Sequence, residues 1–208
     1  MSPYTELAAP VAHSLTEKNS EFLSFLLPVA SRDEAMALIN QYREQYRAAN
    51  HVCWAYIIGN TRQPETQAFS DDGEPAGTAG KPMLHVLTEQ ELGNSLALVV
   101  RYFGGVKLGA GGLVRAYSAA VSQAAALAQT VQVEPQVQLK ITLDFAFETR
   151  ARQLISQHSG ELLVTDYSQQ VQLTISLPIA EVTEFGNQLQ NISSGSALIS
   201  ELPAAAKA

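Results

Sequence analysis

Two loops of this 208-residue chain hold the residue types that do chemistry. Residues 104–112, Gly-Gly-Val-Lys-Leu-Gly-Ala-Gly-Gly, pack five glycines into nine positions between an apolar run ending at Tyr102 and Phe103 and a segment of helical spacing. At such a junction, exposed backbone N–H groups and the positive end of a helix dipole can hold an anion. Lys107 lies inside the loop, Arg101 and Arg115 flank it, and no Asp or Glu occurs between Glu91 and Glu134. Arg101, Gly104, Gly105, Lys107, Gly109, Gly111, Gly112 and Arg115 are therefore the candidate anion- or nucleic-acid-binding residues. The same glycines could equally serve tight turns and close helix packing. Their spacing matches neither a Walker A loop nor a dinucleotide fingerprint.

The second loop, residues 69–80, reads Phe-Ser-Asp-Asp-Gly-Glu-Pro-Ala-Gly-Thr-Ala-Gly. Its polar residues are Ser70, Asp71, Asp72, Glu74 and Thr78, with Lys81 just beyond. Clustered carboxylates can hold a hard cation or act as acid and base. In a Gly/Pro loop they more often form a solvated turn or pair with nearby arginines, and no metal site is expected. His51 and Cys53 share a strand face, but Cys53 beside Trp54 reads as core packing. Ser70, Ser118 and Ser122 lie in no nucleophile elbow, so no catalytic residue is assigned. Tyr102, Phe103 and Tyr117 could stack bases. His158, near a turn, is expected at the surface.

These loops need elements to position them. Residues 21–29 read as a strand, and Ser31 with Glu34 three residues on supplies a helix N-terminus. Residues 52–58 are β-branched and aromatic, a buried strand. The polar stretch 60–68, with Pro64, reads as a loop. A helix follows the acidic loop, residues 95–103 form another strand, and residues 113–128 carry an alanine-rich helix able to approach a sheet closely. Further on, Val137, Leu139, Ile141, Leu143 and Phe145 alternate with polar residues. The downstream pattern is βαββαβ, the split motif of ferredoxin-like folds. The chain thus divides into a tail over 1–17, an N-terminal domain over 18–131, a linker over 132–136 and a C-terminal domain over 137–208.

Composition narrows the function. Hydrophobic residues are 46% and charged ones 16%, which excludes a disordered tail. Thirteen Lys+Arg against 20 Asp+Glu leave a net charge of −7, which argues against a protein that coats nucleic acid over its whole surface. A single cysteine excludes an intramolecular disulfide and a thiolate zinc cage. No signal-like start or membrane-length apolar run is visible, so a cytoplasmic protein is expected, with no membrane partner.

The two loops together, residues 69–84 and 99–117, resemble the signature of the IMPACT family, and the whole chain resembles its bacterial YigZ branch. The resemblance covers residues 18–131 by motif and 137–203 by layout. It implies an α+β fold of two domains. The first would be an α/β sandwich like the second domain of ribosomal protein S five, shared with the fourth domain of elongation factor G. The second would be ferredoxin-like, similar to the last domain of elongation factor G. Eukaryotic IMPACT proteins act in translational control by competing for an activator of a starvation-sensing kinase. That role belongs with an additional N-terminal interaction domain, for which the residues before position 18 are too few, so it is not expected here. No cofactor is implied. The expected function is non-enzymatic regulation linked to translation, by binding RNA, the ribosome or a translation-related protein through the basic glycine-rich face and the second domain's sheet. The alternative is a nucleotide- or phosphate-binding enzyme that uses the 104–112 loop with Asp71, Asp72 or Glu74.

Overall fold

The computed structural model describes residues 4–202, which divide into two compact units between Val133 and Glu134. The first contains β1 (Tyr4–Leu7), β2 (Val11–Glu17), β3 (Ser20–Pro28), α1 (Arg32–Gln45), β4 (His51–Asn60), β5 (Gln63–Ser70), α2 (Gly80–Glu89), β6 (Ser95–Tyr102), α3 (Ala110–Ala126) and β7 (Thr130–Val133). Five strands make an antiparallel sheet in the order β2-β3-β6-β4-β5. The central strand β6 is buried through Ser95–Arg101 because helices cover both faces. On one face, Ala35 and Ile39 of α1 pack with Leu96, Leu98 and Val100. On the other, α2 and α3 bury Met83, Leu87, Leu113 and Tyr117 against Phe22, Ala55 and Val99. Ala116, Ala120 and Ala124 line the inner side of α3, and their small side chains let the helix lie close to the sheet. The cap expected for α1 forms: Ser31 Oγ accepts from the Glu34 N–H, and the Glu34 carboxylate accepts from Ala30.

Three expectations are corrected. Much of the tail over 1–17 is structured: β1 pairs with β7, and β2 is an edge strand against β3. The pairing with β7 also shows that residues 130–133 belong to the first unit, and with them two of the five residues of the expected linker, 132 and 133. The loop expected over 60–68 is mostly β5, hydrogen-bonded to β4. Its polar sequence fits an edge strand, with exposed Gln63, Glu65 and Gln67 alternating with half-buried Pro64, Thr66 and Ala68. Proline is tolerated there because an edge strand has a side that needs no donor.

The second unit runs β8 (Gln136–Leu143), α4 (Glu148–Gln157), β9 (Glu161–Tyr167), β10 (Val171–Pro178), α5 (Val182–Ile192) and β11 (Leu198–Glu201), with short 3-10 turns before each helix. The sheet order is β11-β8-β10-β9, all antiparallel. The last strand thus lies beside the first and the third beside the second, the ferredoxin-like arrangement. Leu139, Ile141, Leu173 and Ile175 face the helices with Leu154 and Phe185. The opposite face carries Gln138, Lys140, Thr142, Gln172, Thr174 and Ser176. On β8 and β10 that face carries no aromatic residue. His158 is buried rather than exposed, with its Nδ1 2.6 Å from Glu181 Oε2. Among the described residues, no helix is long and apolar enough to cross a membrane.

Candidate functional site

The acidic loop between β5 and α2 is consumed by its own architecture. The Asp71 carboxylate accepts from the N–H groups of Gly77 (2.8 Å), Ala79 (3.0 Å) and Gly80 (2.8 Å), which fills the N-terminus of α2. Asp72 accepts from Arg43 of α1 and from the Val52 N–H, both at 2.7 Å. Ser70 Oγ accepts from the Asp72 N–H, and the Thr78 hydroxyl donates to the Pro75 carbonyl. Gly80 is required because a Cβ there would approach the Ser70 backbone to 2.7 Å. Lys81 projects into solvent from the first turn of α2. Asp71 and Asp72 are thus partners of backbone and arginine, and among the described residues no group of three His, Cys, Asp or Glu is placed to hold a metal ion.

Glu74 takes a different course, into the core. Its Oε1 accepts from Arg101 Nη1 at 2.5 Å and from the Tyr117 hydroxyl at 2.8 Å. Arg101 Nη2 donates to Ser20 Oγ, which also accepts from the Gly104 N–H. The guanidinium packs over the rings of Phe22 and Phe103, 5.3 and 5.6 Å from their centroids. Arg101 is only 5% exposed, so it is not the surface arginine that the sequence suggested. Tyr117 is fully buried, edge-on to Phe22, and is unavailable for stacking a base. Its hydroxyl lies 3.3 Å from Cys53 Sγ. Burial above all pushes the Cys53 thiol up to about 12, with nearby acids adding to the shift, and it raises the Tyr117 phenol further. His51 Nδ1 donates to the Asp72 carbonyl, which ties β4 to the same loop. Ser20, Phe22 and Tyr117 were not legible as partners of this cluster, because they are far from it in sequence and only tertiary packing joins them.

The glycine loop divides into structural and open positions. Gly104 lies against the Asn19–Ser20 backbone, where a Cβ would collide. Gly105 and Gly109 have φ of +84° and +74° with nothing within 4 Å of an added Cβ. Gly111 and Gly112 belong to the first turn of α3, and a Cβ on Gly112 would crowd Leu108. Here α3 differs from α1, which Ser31 caps, and from α2, whose first N–H groups the Asp71 carboxylate takes. It opens at Gly109 with no side-chain cap and no acidic residue in its first turn. Lys107 and Arg115 are exposed, neither has an ion-pair partner among the described residues, and an Arg115 Nη atom comes within 3.7 Å of where a Gly111 Cβ would sit. A cavity of about 350 Å³ opens beside this helix end, with Pro75, Phe103, Leu113, Lys107, Glu74 and Arg101 in its wall.

The Impact N-terminal domain family matches residues 18–125, and a family described as a domain of unknown function, DUF1949, matches residues 141–196. IMPACT family member YigZ of Escherichia coli (strain K12) is 38% identical over 189 residues, covering 91% of this chain and 93% of the relative. The Saccharomyces cerevisiae protein named Protein IMPACT homolog is 36% identical over 98 residues, covering 46% of this chain and 37% of its own length. A crystal structure described as that of a hypothetical protein superposes with a TM-score of 0.68 at 36% identity, covering 98% of this chain and 99% of the other.

Proposed function

Since the chain belongs to the IMPACT family, in its YigZ branch, we propose that it is a non-enzymatic regulatory protein linked to translation that binds RNA through the open end of α3. The observation that carries this reading is a helix N-terminus left without any acidic or capping side chain, with the exposed cations Lys107 and Arg115 beside it. Backbone N–H groups and a helix dipole in that setting favour phosphate oxygens. The translation link draws support from membership of the IMPACT family, which implies two domains similar to parts of elongation factor G. The carboxylates of a phosphate-processing alternative are all held: Asp71 by backbone N–H groups, Asp72 by Arg43 and the Val52 N–H, and Glu74 by Arg101 and Tyr117. That supports a binding role over an enzymatic one.

The test is fluorescence anisotropy with single-stranded RNA for the wild type and for a Lys107→Ala/Arg115→Ala double variant. Loss of two charge-assisted phosphate contacts should weaken binding by at least about tenfold. Equal affinity in both proteins would remove the α3 end as the RNA-binding face.

A further inference from the structure

The cavity at the start of α3 has two unlike parts of unequal size, a small polar corner and a larger apolar wall. One is polar: the uncapped first turn of α3, Lys107 at the rim, and Arg101 in the wall. Arg101 is 95% buried by its 5% exposure, and although its two Nη atoms bond Glu74 and Ser20, its Nε has no hydrogen-bond partner. Glu74 balances the Arg101 charge, so Lys107 and the helix dipole leave the pocket with a net positive corner. The larger part is apolar, formed by Pro75, Leu108, Leu113 and the Phe103 ring. Phe103 is 46% exposed, an unusual position for a large aromatic beside a buried charge pair. The volume of about 350 Å³ lies within the range of roughly 300–1,000 Å³ seen for small-molecule sites.

A ligand that satisfies both parts carries an anionic group joined to a flat ring. The geometry points to a nucleoside phosphate as that ligand, its phosphate on the α3 N-terminus and Lys107, and its base against Phe103. This rests on the RNA-binding reading and makes it more specific: the site takes one nucleotide by its phosphate and ring, instead of tracking a backbone. Free mononucleotides and the 5′-terminal nucleotide of an RNA present the same chemistry. Aromatic faces accept any base by stacking, so little base preference is expected.

The full-length chain is titrated calorimetrically with adenosine 5′-monophosphate, adenosine and inorganic phosphate, and with one short single-stranded RNA bearing either a 5′-phosphate or a 5′-hydroxyl. Lys107→Gln and Phe103→Ala change exposed side chains, and circular dichroism checks that both variants fold. The monophosphate should bind at least about tenfold more tightly than adenosine or phosphate alone, and each variant should lose about fivefold or more. A 5′-phosphorylated RNA tighter than its 5′-hydroxyl form identifies the strand end as the source. Equal RNA affinities together with monophosphate binding identify the free nucleotide. Monophosphate binding no tighter than adenosine, or unchanged in both variants, overturns the pocket. Where the pocket is overturned in this way, RNA that still binds and loses affinity in the Lys107→Ala/Arg115→Ala variant keeps the RNA-binding face, and failure of both RNA forms to bind overturns both readings.

Discussion

Glu74 and Arg101 are complementary charges whose side chains are 3% and 6% exposed. Burying them costs solvation that their mutual attraction and the bonds from Tyr117 and Ser20 offset, so removing one partner leaves the other charged and unpaired. Glu74→Ala or Arg101→Ala should therefore destabilise the protein by about 3–5 kcal/mol in urea unfolding. Arg62→Ala breaks a pair of similar length, but its side chains are 68% and 54% exposed, so it should cost no more than about 1 kcal/mol. Comparable losses in the two cases would contradict the burial argument. Cys53 adds a pH dependence of definite sign. Its thiol moves from an ordinary 9.0 up to about 12 in the fold. The folded state therefore favours the protonated thiol, and the associated stability is complete below about pH 9 and is lost as pH rises toward 12. Within that window one such group contributes a slope of about 1.4 kcal/mol per pH unit. Cys53→Ala should flatten the alkaline decline by that amount, and an unchanged slope would assign the decline to other groups.

At the scale of elements, the three helices of the first unit begin in different ways. Ser31 caps α1 and Asp71 fills the end of α2, but α3 starts on Gly109 at φ +74° and ψ +165°. That backbone region is essentially confined to glycine, and other residues pay about 1–3 kcal/mol to occupy it. Gly109→Ala should destabilise by that amount although its Cβ meets open space. Gly111→Ala provides the contrast, since Gly111 lies within α3 and its added Cβ finds nothing nearer than 3.7 Å. There alanine should stabilise by about 0.5–1 kcal/mol. Thermal unfolding of both variants checks the pair, and equal effects would mean that Gly109 does not need its conformation.

For the whole molecule, a net charge of −7 coexists with a local positive feature, because the stretch between Glu91 and Glu134 contains no acid. An acidic body disfavours diffuse attachment to nucleic acid and leaves binding to a few focused contacts. With Lys107 and Arg115 as the cations engaged, the logarithm of RNA affinity should fall against the logarithm of salt with a slope of about −1.4. A slope steeper than about −4 would require a larger basic surface than this face provides. The first unit has two cores, one under α1 and one under α2 and α3 on opposite faces of its five-stranded sheet, and the second unit has its own between the four-stranded sheet and α4 with α5.

Much of this architecture was legible in the order of residues. The alternation of Leu139, Ile141 and Leu143 with polar neighbours, and of Val171, Leu173 and Ile175 with theirs, defines half-buried strands, because side chains along a strand alternate between faces. Ser31 and Glu34 announced the start of α1. The edge strands of the first sheet were not legible: β2 and β5 bury little, so their periodic signal is weak, and pairing with β3 and β4 creates them. At the site, sequence alone determined that a glycine-rich, acid-free segment with Arg101, Lys107 and Arg115 joins a strand to a helix. Only the tertiary structure decided which of those charges remain available. Arg101 is taken into the core by Glu74 from a distant loop, and Asp71 and Asp72 are spent on backbone and Arg43, whereas Lys107 and Arg115 stay in solvent. The physical reason is that a charge's role depends on its solvation and its partner, and both are set by residues far away in the chain.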